Sequence, residues 1–260
     1  GEARVAAACM VFDSAGRRVA RYDKMHLFDV DVPGRTESHR ESTSVAPGAA
    51  PVVVDTPAGR LGLAVCYDIR FPELFRTMTA QGAEWFVLPS AFTVPTGRAH
   101  WEVLLRARAI ENLAGMVAAA QSGFHANGRE TWGDSLIVDH WGEVLARLPR
   151  GTGVVTAQFD RAAQAQARQQ ALVWRHPWAH PSPVPLPGPI LPQLLLWRPV
   201  ALARSRPKEP IRTSRTPSLA RVHFFSWRFS PVEIHKIWWF VVCFLRPQSS
   251  DRIARKGGLN

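Results

Sequence analysis

The sequence predicts an α/β layered domain over residues 1–165, and three observations carry that reading. Short apolar runs of four to eight residues, most bounded by Gly, Pro or Asp, recur along this stretch as strands do. Two amphipathic stretches with helical spacing interrupt them. Beyond this stretch the pattern stops, and 13 of the 21 prolines follow residue 160, among them the HPWAHPSPVPLPGPILPQ segment, too Pro-dense for helix or sheet.

In chain order, residues 5–12 (VAAACMVF) read as a strand closed by a DSAG turn, followed by strands at 18–22, 52–54 and 61–66. A helix is expected over 72–81 (PELFRTMTAQ), with Pro72 at its opening and Gly82 just past its end. A strand at 84–89 leads to a second helix, 98–113, whose Trp101, Leu104, Leu105, Ala109 and Leu113 share one face. Strands follow at 115–121, 134–138, 143–147 and 152–159, with DHWG joining two of them as a hairpin. Such a mixture packs a sheet under helices.

Charge divides the chain at the same place. The whole sequence carries 32 Lys+Arg against 21 Asp+Glu, a net +11. Residues 1–160 hold a net −2 and residues 161–260 a net +13, so the basic character belongs to the tail. The first segment therefore reads as a neutral enzyme domain and residues 166–260 as a Pro/Arg/Trp-rich basic tail, disordered or misread across a frameshift or misjoin. The tail's interleaved Trp and Phe allow a rival reading, a surface that stacks on single-stranded nucleic acid. No recognisable nucleic-acid module accompanies it, and nucleic acid is not the expected partner. Its apolar run Ile237–Leu245, nine residues, falls well short of the roughly 20 that span a bilayer, so no membrane segment is expected.

Cys9, Cys66 and Cys243 are widely spaced without a CxxC pair, which argues against a disulfide framework and for a reducing, cytoplasmic setting. The opening residues read as a strand and not as a leader, so the chain is expected to begin in mid-domain. His26, His100 and His125 lack metal-ligand spacing; neither metal nor cofactor is expected.

Three stretches carry chemistry. In RLGLAVCYDIRFPEL (60–74) an apolar strand delivers Cys66 to a turn that enters a Pro-started helix. Backbone N–H groups at such a turn lower a thiol's pKa and stabilise an oxyanion. RYDKMHLFDVDVPGR (21–35) places Lys24 between a strand and an acidic loop, and SHREST places Glu41 25 residues before Cys66. Taken singly, each has a plain alternative: a buried small thiol for Cys66, and solvated surface charges for Lys24 and Glu41. Arg70, Glu73 and Arg106 read equally as structural ion pairs, although Arg70 lies close to Cys66 in the chain.

Together these blocks resemble the nitrilase superfamily of carbon–nitrogen hydrolases. KMHLFDVDVPGR looks like its lysine block and GLAVCYDIRFPE its nucleophile block; HWEVLLRARAIEN looks like the helix that follows, and NGRETWGDSLIVDHWGEV the late hairpin. HANGRETWG (125–133) points to the Nit-type amidases acting on deaminated glutathione and ω-amides. The resemblance implies a four-layer αββα sandwich, incomplete at the N-terminus, that pairs as a homodimer. It implies a small-molecule amide substrate cleaved with release of ammonia through a Cys66 thioester; nitrile or N-carbamoyl hydrolysis is the alternative within the superfamily. In that scheme Lys24 donates to the oxyanion, Glu41 orients Lys24 and substrate, the Tyr67 backbone N–H completes the oxyanion site, and Arg70 contacts substrate. The family's general-base glutamate lies upstream of the lysine block and has no counterpart here, so a catalytically silent fragment is a further expectation. Asp134 and His140 depart from the Nit-type pattern.

Overall fold

The molecule, a computed structural model, is described over residues 4–31, 38–126 and 128–171, with the backbone of 219–223. β1 (Ala8–Phe12) and β2 (Arg18–Asp23) pair as an antiparallel hairpin, as do the short β3 (Asp29–Asp31) and β4 (Ser38–Arg40). One turn of 3₁₀ helix at Glu41–Thr43 follows, then β5 (Val52–Thr56), β6 (Gly59–Leu63), a second 3₁₀ turn at Cys66–Arg70 and α1 (Pro72–Ala80). Next come β7 (Trp85–Val87), α2 (Val94–Asn112), β8 (Gly115–Ala118), and the hairpin of β9 (Ser122–Phe124) and β10 (Glu130–Trp132). β11 (Ser135–Val138) and β12 (Val144–Leu148) form the hairpin expected across DHWG; β13 (Thr156–Asp160), α3 (Arg161–Gln170) and β14 (Leu219–His223) complete the order.

Six strands make the main sheet, ordered β12-β11-β8-β7-β6-β5, with β6, β7 and β8 parallel and the flanking pairs antiparallel. Parallel strands are covered on both faces, which is why LGLAV and WFVL read as unbroken apolar runs. On one face Phe86 meets Phe75 of α1 edge-on, ring centroids 5.0 Å apart, and a Cβ on Gly62 would stand 2.9 Å from the Met78 sulfur. On the other face Trp85 packs against Phe159 of β13, centroids 3.8 Å apart, and only glycine fits at 115, where a Cβ would lie 2.3 Å from the Trp85 ring. Helix and strand layers thus enclose the sheet, the layered α/β architecture the sequence predicts.

α1 starts at Pro72 as expected and buries Leu74, Phe75 and Met78. α2 begins at Val94, four residues ahead of the expected 98, because Pro95 occupies its first turn. Gly97, which looks like a breaker in sequence, is needed there: a Cβ would sit 2.2 Å from the Trp132 side chain.

α3 crosses residue 165 and was not anticipated, since its inner face is polar. Asp160 caps it by accepting from the N–H groups of Ala162 and Ala163, both at 2.9 Å. Buried Gln164 donates to the Glu84 and Leu113 carbonyls (2.8 and 2.9 Å), and Arg168 to those of Leu113 and Ala83 (2.9 and 2.8 Å). Satisfying backbone carbonyls at the end of α2 and just ahead of β7 leaves no apolar stripe for a sequence pattern to show.

β14 pairs with β13 from within the tail. The other expectations for the tail, its disorder and the Ile237–Leu245 run included, lie outside the described residues. No helix among the described residues is long and apolar enough to cross a membrane.

Candidate functional site

The parallel ladder runs on past its regular strands. The Cys66 N–H donates to the Pro89 carbonyl at 2.9 Å, and the Ser90 N–H to that of Ala119 at 2.8 Å. Cys66 therefore leaves the sheet between two neighbouring strand ends instead of forming the last strand residue, as the sequence suggested. Its φ is +50°, a left-handed conformation that costs a residue with a Cβ about 1 kcal/mol or more. The turn is held by Asp68, whose Oδ2 accepts from the Val65 N–H at 2.8 Å.

Cys66 is only part-buried as a residue, yet desolvation is the strongest influence on its thiol and pushes its pKa up. The Lys24 ammonium and the Ala91 N–H, which donates to the sulfur, pull it down; the Glu41 and Asp68 carboxylates push the other way.

Lys24 ends up 3% exposed, at odds with the surface charge its sequence context suggests by default. A buried ammonium needs a partner, and its Nζ donates to Glu41 Oε2. The same oxygen accepts the Phe28 N–H at 2.6 Å, which orders the short loop around it. Close packing sets the exit of this strand: the Gly48 N–H donates to the Lys24 carbonyl at 2.8 Å, and a Cβ on Gly48 would lie 1.9 Å from the Asp23 carbonyl oxygen. Lys24, Glu41 and Cys66 are thereby brought into one neighbourhood from three elements.

Tyr67 follows the thiol in the 3₁₀ turn, its ring edge-on to Phe28 and Phe71 at 5.0 and 5.5 Å. Among the described residues its N–H meets no carbonyl outside the turn itself. The Arg70 guanidinium lies 5.8 Å from the Tyr67 ring and 5.6 Å from that of Phe92, and pairs with His100 Nδ1 at 3.2 Å. The ion pair that its type suggests is not made: among the described residues Arg70 bonds no carboxylate. Asp134, at φ +67°, pairs with Arg147 at 2.7 Å, and its carbonyl accepts the Trp101 indole N–H at 2.6 Å. His140 packs edge-on to Phe159, and burial lowers its pKa. Both serve packing. No group of three potential metal ligands occurs among the described residues.

Two site residues escaped the sequence reading. Asp68 is fully buried and bonds to both the thiol turn and the lysine segment; its signal was an acidic residue just after an apolar strand, a capping position. The Ala91 N–H has no sequence signal, because it faces the sulfur only through the register of β7 beside β6.

The carbon–nitrogen hydrolase family model matches residues 2–169. The chain is 47% identical over 167 residues to deaminated glutathione amidase of Yersinia enterocolitica, covering 64% of this chain and 58% of that one. It is 48% identical over 168 residues to deaminated glutathione amidase of Homo sapiens, covering 64% and 51%. It spans little more than half the length of these curated relatives. Among solved structures it is similar to the C. elegans NitFhit protein (43% identity, TM-score 0.57, 64% of this chain and 40% of that one). It is also similar to Saccharomyces cerevisiae Nit3, a member of branch 10 of the nitrilase superfamily (29% identity, TM-score 0.52, 63% and 54%).

Proposed function

The chain belongs to the carbon–nitrogen hydrolase family, and from that premise we propose that it hydrolyses a carboxylate-bearing small-molecule amide, of the deaminated-glutathione or ω-amide kind, with release of the amine, which is ammonia for an ω-amide and cysteinylglycine for deaminated glutathione. The observation that carries the reading is the convergence of Cys66, Lys24 and Glu41 where strand ends and loops meet.

The Cys66 sulfur attacks the amide carbon and the carbonyl becomes an oxyanion, met by the Lys24 ammonium and the Tyr67 N–H. The C–N bond breaks, the amine leaves, and a thioester remains. Water then attacks the thioester, releasing the carboxylic acid and restoring the thiol. Because burial holds the thiol protonated, attack needs a proton acceptor, and the departing amine needs a donor. The Lys24 ammonium, held by Glu41, can give the second proton; taking the first is the role that the resemblance assigns to the glutamate upstream of the lysine block.

Arg70 is the proposed carboxylate anchor. Its cation rests against two aromatic faces and a histidine, with no protein carboxylate among the described residues to compete for it. Hydrolysis is measured on deaminated glutathione, whose amide releases cysteinylglycine, and on a simple aliphatic amide without a carboxylate, which releases ammonia. Arg70→Gln is expected to raise KM about tenfold on the first and little on the second. An equal effect on both removes Arg70 from substrate recognition, and no hydrolysis of either substrate removes the amidase reading itself.

Two exposed apolar residues of α2, Val103 and Ile110, support the homodimer; the position of a Cβ on Gly142 is 2.6 Å from the Ile110 side chain, and the exposed Trp141 is its neighbour in sequence. Sedimentation equilibrium is expected to give twice the chain mass, and Val103→Glu to halve it; a monomeric parent protein refutes the pairing. The Cys66 thiol, which forms no disulfide, suits the cytoplasmic setting of this reading.

A further inference from the structure

We propose that Asp68 is a positioning residue that holds the lysine segment against the nucleophile turn, so that the Lys24 ammonium keeps its place beside the Cys66 thiol. The proposal rests on the amidase reading for its catalytic meaning, though its geometry stands apart from it.

The Asp68 carboxylate is fully buried and accepts from four donors. Oδ2 takes the Tyr22 hydroxyl and the Val65 N–H, each at 2.8 Å. Oδ1 takes the His26 N–H at 3.1 Å and His26 Nδ1 at 2.8 Å, where the carboxylate can only accept and the ring nitrogen must donate. The Tyr22 hydroxyl in turn accepts the Met25 N–H at 3.2 Å. Tyr22, Met25 and His26 bracket Lys24 in the chain, and Val65 immediately precedes Cys66. One carboxylate therefore clamps the backbone on both sides of Lys24 to the strand end that delivers the thiol, while a second carboxylate, Glu41, holds the ammonium itself. The His26 ring is further fixed by stacking on Phe71, centroids 3.8 Å apart and planes within 8°.

The network also handles charge. The groups that face the thiol are Lys24, Glu41, Asp68 and the Ala91 N–H. A bare Asp68 charge opposes thiolate formation, and four donors spread it. Removing one donor frees more of that charge and loosens Lys24, and both changes raise the pH at which Cys66 becomes reactive.

The test is the rate of Cys66 alkylation by iodoacetamide against pH in the full chain, followed by peptide mass so that Cys9 and Cys243 do not interfere. Tyr22→Phe, which deletes a single oxygen, and His26→Ala are each expected to raise the midpoint and to slow alkylation at pH 7.5 by about a factor of five. His26→Asn, whose amide N–H occupies the place of Nδ1–H, should regain most of the rate. In a Lys24→Met background the effect of His26→Ala should shrink to less than half, because the two act through one another. Unchanged midpoints with only a lower melting temperature would reduce Asp68 to a structural role. A full-sized effect in the Lys24→Met background would mean that Asp68 acts through its charge alone and would overturn the positioning claim. Should the wild type hydrolyse neither amide substrate while the midpoints still move, the amidase reading fails and the positioning role stands.

Discussion

Cys66→Ala is expected to lower amide hydrolysis by about four orders of magnitude or more, since no other group in the scheme can form the acyl intermediate. Its effect on stability should be small, because alanine retains the Cβ and bears the same left-handed strain at φ +50°. Cys66→Gly separates the two properties. Glycine adopts that conformation without penalty, so this variant should be equally inactive yet more stable by up to about 1 kcal/mol, read from its urea midpoint. Such an outcome would mark the nucleophile as a site where folding is opposed by geometry that chemistry needs. Residual turnover in Cys66→Ala comparable with wild type would place the nucleophile elsewhere.

Trp101→Ala carries the largest expected loss of stability, about 3–5 kcal/mol, or a fall in Tm on the order of 10 °C. Trp101 is fully buried on α2, lies 4.9 Å from the Phe92 ring, and donates its indole N–H to the Asp134 carbonyl at 2.6 Å. Truncation opens a cavity and strands that carbonyl. Trp101→Phe fills much of the space without supplying the donor and should lose clearly less. Activity should suffer below the melting transition as well, because Phe92 adjoins Ala91, whose N–H faces the sulfur. A loss under 1 kcal/mol in thermal and urea unfolding would contradict this account of the core.

Much of the fold was legible because its parallel centre reads as apolar runs and its helices carry plain start signals, as Pro72 does for α1. Legibility failed where partners are distant or polar. The inner face of α3 is Gln164 and Arg168 on backbone carbonyls, which has no apolar period. The first turn of α2 holds Gly97, a breaker in sequence that is required because it lies under Trp132, a contact 35 positions away in the chain. At the site, Lys24, Glu41 and Cys66 each looked ordinary alone and gained meaning only as blocks resembling a family. The burial of Lys24 and the four-donor environment of Asp68 are properties of tertiary packing that no single block encodes.

The parallel pairing of β6, β7 and β8 has a consequence for how this architecture can vary. Because the three strands run the same way, their carboxyl ends lie side by side and deliver the Cys66 turn, the 89–91 segment and the 119–121 segment to one rim of the sheet. Segments just ahead of β7 and β8 lie at the opposite rim, where α3 takes up the carbonyls of Ala83, Glu84 and Leu113. Lengthening or recolouring the loops at the first rim can redirect substrate preference without disturbing the second, whereas a change in the α3 clasp is felt by every strand at once. The molecule thus has an innovating end and a conservative end, and the polarity between them is set by strand direction alone.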